Sequence, residues 1–402
     1  MLNSKNEREL AYVARIEEIR SLEGYDKVEY ARIGAGWWVI VRKGQFKVGD
    51  LGIYFEVDSQ VPAEEPFMFL ENKKFKIKTL KMCKVVSQGL LMSFDDFGWD
   101  KDAYTEGTFL TKQLKVTYAD EADNARKAPS PNKYASMQDR HKNLFKSPFG
   151  KIVMKYKLGR EVMFLLFGKK KDKRDWPVWV KKTDEERCQN MPWLFPNNSQ
   201  HWMVTEKIDG TSTTFTMKNN WKKNLIVCSR NVAFNSPKKE KYNYYKDSDG
   251  NVYLEMAGKY NMQQVCLNAI AYCKNHNIPI SFITIQGETY GGTIQKRDYG
   301  AEHRLAIFNV IFGFKNGETR RLNPVEMRDF LKKVETDGAP LETVPILNED
   351  YMLPDTCEEL LAYADGSSVI DGGMREGLVF RSMNGQDSFK AVSNKFLLKY
   401  HS

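Results

Sequence analysis

The sequence predicts an α+β chain, with a small β-barrel in front and a mixed α/β domain with antiparallel sheets behind it. Three observations predict this. Residues 10 to about 115 hold short β-rich runs separated by turn residues. Residues 118 to about 148 lose apolar periodicity and carry Pro129 and Pro131. From about residue 181 onward, helix-period and strand-period segments alternate. The expected division is therefore 1–117 for the barrel, 118–180 for a linker and basic insert, and 181–402 for the second domain.

The barrel runs are LAYVARIEEI, KVEYARIGAGWWVIVRKG, LGIYFEVDS and LKMCKVVSQGLLMSF, punctuated at Gly34-Ala35-Gly36, Val48-Gly49-Asp50 and Asp58 to Pro62. Short strands at this spacing suit a small barrel. Trp37, Trp38, Tyr54, Phe55 and Phe75 share the region with Lys43, Lys47, Lys73, Lys74, Lys76, Lys78 and Lys81. Aromatics and cations on one barrel face can stack bases and follow phosphates. Alternation along the strands favours a core position for most of these rings.

The insert reads as irregular, because DEADNARKAPSPNKYASMQDR has no apolar repeat. Behind it, Lys146 to Lys182 carries 12 Lys or Arg against three acids, as much net positive charge as the +9 of the whole chain. Such a stretch is either a solvated face or a phosphate-contact surface, and charge alone does not choose between them. In the second domain, YLEMAGKYNMQQVCLNAIAYCKNHN (253–277) has one helical stripe and a stop at Asn277 and Pro279. ISFITIQGET, RLAIFNVIFGF, GLVFRSM and SFKAVS read as strands.

A chain of 402 residues supports two or three domains. Its longest apolar run, VMFLLF, falls far short of the roughly 20 residues needed to cross a bilayer. The N-terminus has no apolar signal region. No membrane partner is expected, and the expected setting is intracellular, in cytoplasm or nucleus. The six cysteines form no CxxC pair and the five histidines do not cluster with them. That disfavours a structural zinc and suits reduced thiols.

The segment VTEKIDGTSTTF, 204–215, brings an apolar approach to a lysine, then Asp-Gly, then small hydroxyl residues. Lys207 is either a surface amine entering a turn or a nucleophile placed where a phosphate can come close. Four later segments add parts of a site: CSRN with Arg230, ITIQGETYGG with Glu288, REGLVFR with Glu376, and SFKAVSNKF with Lys390. Each reads alone as an ordinary strand-end residue. Together they offer a lysine nucleophile, a second lysine for phosphate, and carboxylates for a divalent metal and a ribose hydroxyl. An amine attacks only when deprotonated, and nearby cations, including a bound metal, can lower the pKa of Lys207 so that a free amine exists near neutral pH. Attack on an α-phosphate expels pyrophosphate through a transition state with spread negative charge.

In this order the motifs resemble the covalent nucleotidyltransferases. The resemblance is strongest to ATP-dependent RNA ligases with an N-terminal OB domain, of the Naegleria and Deinococcus type. KVEYARIGAGWWVIVRKGQFKVGDLGIYFEVDS and IKTLKMCKVVSQGLLM look like that family's OB-like barrel, and KTDEERCQN looks like its approach to the active site. The resemblance implies an ATP-grasp-like nucleotidyltransferase domain with Lys207 as the adenylylated nucleophile. It implies Asp209 and Glu376 as holders of hydrated Mg2+ or Mn2+, and Glu288 on the ribose. Phe308 would stack on adenine and Glu206 would meet its amino group, through a backbone carbonyl. Lys390 and Arg230 would contact phosphate, and Arg187 would meet pyrophosphate or the RNA 5′ end. ATP and RNA are the implied partners of a monomer.

Two departures stand out. Val392 occupies the place where many RNA ligases have a second lysine, and either Lys395 and Lys399 compensate or this branch does not need it. Residues 118–180 are longer than the family's connection. The chain ends a dozen residues past Lys390, so no C-terminal barrel of the kind that DNA ligases and capping enzymes carry is expected. The alternatives are therefore an mRNA-capping guanylyltransferase, a DNA ligase, or a non-catalytic RNA-binding protein on a ligase scaffold.

Overall fold

The computed structural model describes residues 7–118, 144–167, 173–195, 199–234 and 250–400, apart from 35, 146, 175 and 183. Most of the expected irregular insert, and part of the basic stretch, lie outside these residues. Within that stretch, Pro148–Lys155 and Lys157–Phe167 are helices, the first capped by the Ser147 hydroxyl accepting the Gly150 N–H at 3.1 Å.

The front of the chain is a nearly closed five-stranded antiparallel barrel, an OB-fold. Its order is Trp37–Arg42, Val28–Ile33, Ala11–Ser21, Leu51–Phe55 and Leu90–Met92. The Gln88 N–H donates to the Trp38 carbonyl at 2.9 Å and brings the two end strands together. Alternation decides the aromatics. Trp37, Tyr54 and Phe55 are fully buried, whereas Trp38 stays half-buried between the Tyr30 ring and the Arg20 guanidinium.

Behind the barrel stand two sheets. The larger has eight strands, in the order Lys173–Arg174, Ala233–Phe234, Leu225–Cys228, Thr211–Lys218, Ile280–Tyr290, Arg304–Phe314 and Thr319–Arg321. Glu342–Thr343 pairs beside Arg304–Phe314. The smaller runs Glu186–Arg187, Ser388–Val392, Gly377–Ser382, His201–Lys207 and Ile346–Met352. Strand periodicity explains the larger sheet's two faces. In TSTTFTMK, Phe215 and Met217 turn into the main core against helices Val252–Lys259, Met262–Asn275 and Pro324–Val334. Ser212, Thr214 and Thr216 turn the other way, in register with Glu288, Gln286 and Thr284. That second face is polar yet buried, and its groups satisfy each other: Gln286 Nε2 donates to Thr214 Oγ1 at 3.2 Å, and Asn309 Nδ2 to Gln286 Oε1 at 3.0 Å.

The expected single helix over 253–277 is two helices, because Asn261 adopts a left-handed conformation with φ 46° between them. Gly338 packs into the break, where a Cβ would stand 2.9 Å from the Tyr260 carbonyl carbon. Cys266 and Cys273 lie on the buried side of the second helix, as core rather than surface thiols.

Barrel and sheets meet through a buried polar knot. Asn190 accepts the Trp37 indole N–H at 3.2 Å and donates to Glu56 at 3.1 Å and Glu186 at 2.7 Å. Arg8 pairs with Glu56 at 2.9 Å. Asn190→Ala would remove a buried acceptor from the indole and a donor from the fully buried Glu56 carboxylate. The expected cost is about 1–3 kcal/mol in urea unfolding, and an unchanged midpoint would show that the knot does not hold the two parts together.

Candidate active site

Lys207 is the last residue of a strand in the smaller sheet, paired with Gly377, and Thr211 is the first of a strand in the larger sheet. Three residues carry the chain from one sheet to the other. Gly210 permits this passage, because a Cβ there would lie 2.4 Å from the Thr289 carbonyl oxygen. Ile208 anchors the crossing in a small apolar cluster with Tyr290, Ala306 and Val344. The Asp209 N–H donates to the Tyr299 hydroxyl at 3.1 Å, which fixes the turn at the carboxylate.

The crossing opens a cavity of ≈ 440 Å³ between the sheets. Of the expected site residues, Glu206, Lys207, Asp209, Arg230, Glu288, Phe308, Glu376 and Lys390 all line it. Arg187 does not; it lies one strand over, in register with Lys390, with its guanidinium 5.9 Å from the Trp37 ring of the barrel. Val392 is buried against Val86 and Leu397, Lys395 faces Asp365 at 3.8 Å, and Lys399 lies over Tyr400. None of these three lines the cavity.

One wall is anionic. Lys207 Nζ donates to Glu376 Oε2 at 2.6 Å. Burial pushes the amine's pKa down, but Glu376, Glu288 and Asp209 together outweigh burial and hold it above the ordinary lysine value. The protein's own groups around the amine are carboxylates, which favour its charged form, so a lowered pKa would have to come from a bound cation. Burial and the neighbouring carboxylates push Glu288 up to about 8 and Asp209 up to about 6, against the opposing pull of Lys207.

The other wall is cationic. Lys390 donates to Asp184 Oδ1 at 2.9 Å, Arg230 to Asp184 Oδ2 at 3.2 Å, and the Tyr118 hydroxyl to Asp184 Oδ2 at 3.1 Å. Burial raises the Asp184 pKa, but Lys390 and Arg230 hold the carboxyl well below the usual carboxylate range. One acid therefore gathers two cations of the cavity and ties them to the end of the barrel segment. Phe308 lines the cavity and packs against the Ile208 cluster, and its carbonyl accepts from Arg381 at 2.7 Å. Arg381 in turn donates to Glu185 at 3.2 Å, and burial lowers its pKa to about 10. Glu206 is buried, with Oε2 accepting the Val369 N–H at 2.9 Å.

Sequence reasoning passed over Asp184, Glu185, Arg381 and Tyr299. Asp184 and Glu185 sit in KTDEERCQN, where adjacent acids inside a basic region were the available signal. Arg381 follows the GLVF strand and Tyr299 lies in a turn-rich loop, and neither position carries a sequence cue.

Among the described residues no three His, Cys, Asp or Glu side chains form a ready metal cage. A hydrated Mg2+ or Mn2+ needs only one or two carboxylates, with water completing its shell. Asp209 and Glu376 fit that requirement: both line the cavity, and Glu376 raises the pKa of Asp209, so added positive charge between them would relieve repulsion.

Among curated proteins none matches the chain in sequence. A family model described as an OB-fold domain matches residues 10–94, and one described as RNA ligase matches residues 200–401, half of the chain. Solved structures of Naegleria gruberi RNA ligase are similar along the whole length. A variant with AMP and Mn is 25% identical, covers 98% of this chain and 99% of its own, and has a TM-score of 0.65. The ligase with PPi, and a variant with ATP and Mn, are each 25% identical at the same coverage with TM-scores of 0.64. The RNA ligase model spans half of the chain, behind a barrel matched as an OB-fold domain, and the chain belongs to the RNA ligase family of enzymes.

Proposed function

We propose that the protein is an ATP-dependent RNA ligase that joins 3′-hydroxyl and 5′-phosphate RNA ends through a lysyl-AMP on Lys207 and an RNA-adenylate. The observation that carries this reading is the placement of the Lys207 amine in one cavity between an acidic wall and a cationic wall. AMP, ATP, PPi and Mn in the Naegleria structures support the same ligands here. The proposed organisation is a barrel over 1–117, a linker and basic insert over 118–180, and an adenylyltransferase domain over 181–402, working as a monomer.

In the first step Lys207 gives up its proton, its nitrogen bonds the α-phosphorus of ATP, and the bond to the pyrophosphate oxygen breaks. Lys390 and Arg230 supply positive charge for the phosphoryl oxygens. In our reading Phe308 stacks on adenine, Glu206 meets the adenine edge, and Glu288 accepts from the ribose. Arg187 serves the departing pyrophosphate or the incoming 5′ end. A divalent ion held by Asp209 and Glu376 would supply charge that offsets both the carboxylates and the phosphates. In the second step a 5′-phosphate oxygen of RNA bonds the AMP phosphorus and the Lys207 nitrogen leaves. In the third a 3′-hydroxyl bonds the RNA phosphorus, AMP leaves, and the strand is continuous.

The resting state suits this sequence. Glu376, Glu288 and Asp209 favour the charged form of Lys207, so positive charge brought by a divalent ion would offset them and ease the loss of its proton. Of the runner-up readings, a capping guanylyltransferase and a non-catalytic RNA-binding protein differ in which nucleotide labels the chain, whereas a DNA ligase would also take label from ATP and differs in sealing nicked DNA rather than RNA.

Two outcomes are expected. Incubation with α-phosphate-labelled ATP and Mn2+ should leave label on the denatured chain, GTP should not, and Lys207→Ala should abolish labelling. Label from GTP alone would favour capping, and no label from either, in protein free of prior adenylylation, would leave the binding-protein reading. Asp184→Ala should release Lys390 and Arg230 from their shared anchor and slow labelling by roughly ten- to a hundred-fold, as loss of positioning does. An unchanged labelling rate would show that the anchor is not needed.

A further inference from the structure

The hairpin joining Thr211–Lys218 to Leu225–Cys228 ends in NNWKKN and leaves Trp221 88% exposed. The tip is stiff. Asn220 Oδ1 accepts the backbone N–H of Lys222 and of Lys223 at 3.1 Å each, Gln263 donates to the Lys223 carbonyl at 3.2 Å, and Asn219 donates to the Ile280 carbonyl at 3.0 Å. An indole held out into water by a rigid turn is a preorganised stacking surface. Lys222 Nζ lies 5.1 Å from its ring.

From the tip a line of cations leads to the cavity. Lys218 is exposed, with Nζ 3.9 Å from the Trp179 ring. Trp179 rests on the sheet's polar face, its indole N–H donating to Thr216 Oγ1 at 3.4 Å. The same segment continues through the exposed Lys181 and Lys182, and Lys182 Nζ donates to Asn231 Oδ1 at 3.2 Å. Its neighbour Arg230 already lines the cavity. No acidic residue occurs from Thr211 to Phe234 or from Trp176 to Lys182. Such an acid-free run repels cations and attracts a polyanion.

We infer that this line is a track for one arm of the RNA substrate. Phosphates follow Lys222, Lys218, Lys181, Lys182 and Arg230, and a base stacks on Trp221. The assignment rests on the ligase reading, which requires an RNA end in the cavity. At about 3.4 Å per residue the strand Thr211–Lys218 is roughly 24 Å long, the length of about seven stacked nucleotides. Cations interleaved with aromatic faces suit single strands without sequence preference. Base stacking is the reason the hairpin carries an indole rather than another lysine at its tip.

The test compares the full-length protein with Trp221→Ala/Lys222→Ala and with Trp221→Phe, on 5′-phosphorylated RNA whose arms are shortened in turn. For arms of about 15 nucleotides the double variant should raise the sealing KM roughly ten-fold or more, with kcat and ATP self-labelling unchanged. Trp221→Phe should stay close to the parent, since any aromatic face stacks. The KM difference should vanish once one arm is cut below about five nucleotides, and the salt dependence of KM should be shallower by about 0.7–0.9 in log–log slope for the lost lysine. An unchanged KM on long RNA, an equal rise on short RNA, or a matching loss of self-labelling would each overturn the track. If the unmodified protein sealed no RNA, the ligase reading would fall instead. The track would then stand or fall on whether the double variant lost filter-binding affinity for the same long RNA.

Discussion

The site depends on one constraint: the backbone must pass between two sheets within three residues. Gly210 satisfies it by bringing its backbone against the Thr289 carbonyl, where any side chain would collide. The pairing of Lys207 with Gly377 fixes one side of the crossing, and that of Thr211 with Thr289 fixes the other. Because side chains alternate along strands, these two registers set which groups face each other across the gap. Lys207 and Lys390 come from the smaller sheet, Glu376 directly precedes its strand Gly377–Ser382, and Glu288 and Phe308 come from the larger. The cavity is what remains between them.

Electrostatics then gives the cavity two distinct ends. Three carboxylates around Lys207 keep its amine charged, and in the same act raise the pKa of Glu288 and Asp209. At the far end a single carboxylate, Asp184, holds Lys390 and Arg230 together. In the proposed reaction an incoming phosphate would replace Asp184 as the partner of the two cations. The Tyr118 hydroxyl on Asp184 and the Trp37–Asn190–Glu56 knot link this end to the barrel, so docking of the barrel bears on the positions of the phosphate-facing groups.

Much of this was legible in the chain, for physical reasons that differ by residue. Lys207 and Asp209 share one local segment, so their joint placement follows from a turn between strands. Glu288, Glu376 and Lys390 say little singly, and their meaning came from order along the chain; the structure brings them to one cavity. Alternation favoured a core position for most of the barrel's aromatics, and Trp37, Tyr54 and Phe55 are buried while Trp38 is half-buried. Asp184 stood out only as one of several adjacent acids in a basic region, and its role as anchor was hidden because its partner Lys390 lies 206 residues away. The break at Asn261 was hidden because Met256, Ala257, Tyr260, Met262 and Val265 are buried on both sides of it, so the apolar stripe continues across a change of direction. Arg187 was assigned to pyrophosphate or the RNA 5′ end by resemblance alone, and its neighbours are Lys390 and the barrel's Trp37.

The central claim is that the Lys207 nitrogen carries AMP from ATP to an RNA end. It is tested most directly by a chase. Protein labelled with AMP is freed of ATP and pyrophosphate, then mixed with nicked RNA bearing a 5′-phosphate and a 3′-hydroxyl. The account predicts that label leaves the chain in a single turnover and that AMP is released in step with sealed strand. Label that remained on the chain, or that left without a new phosphodiester bond, would contradict it.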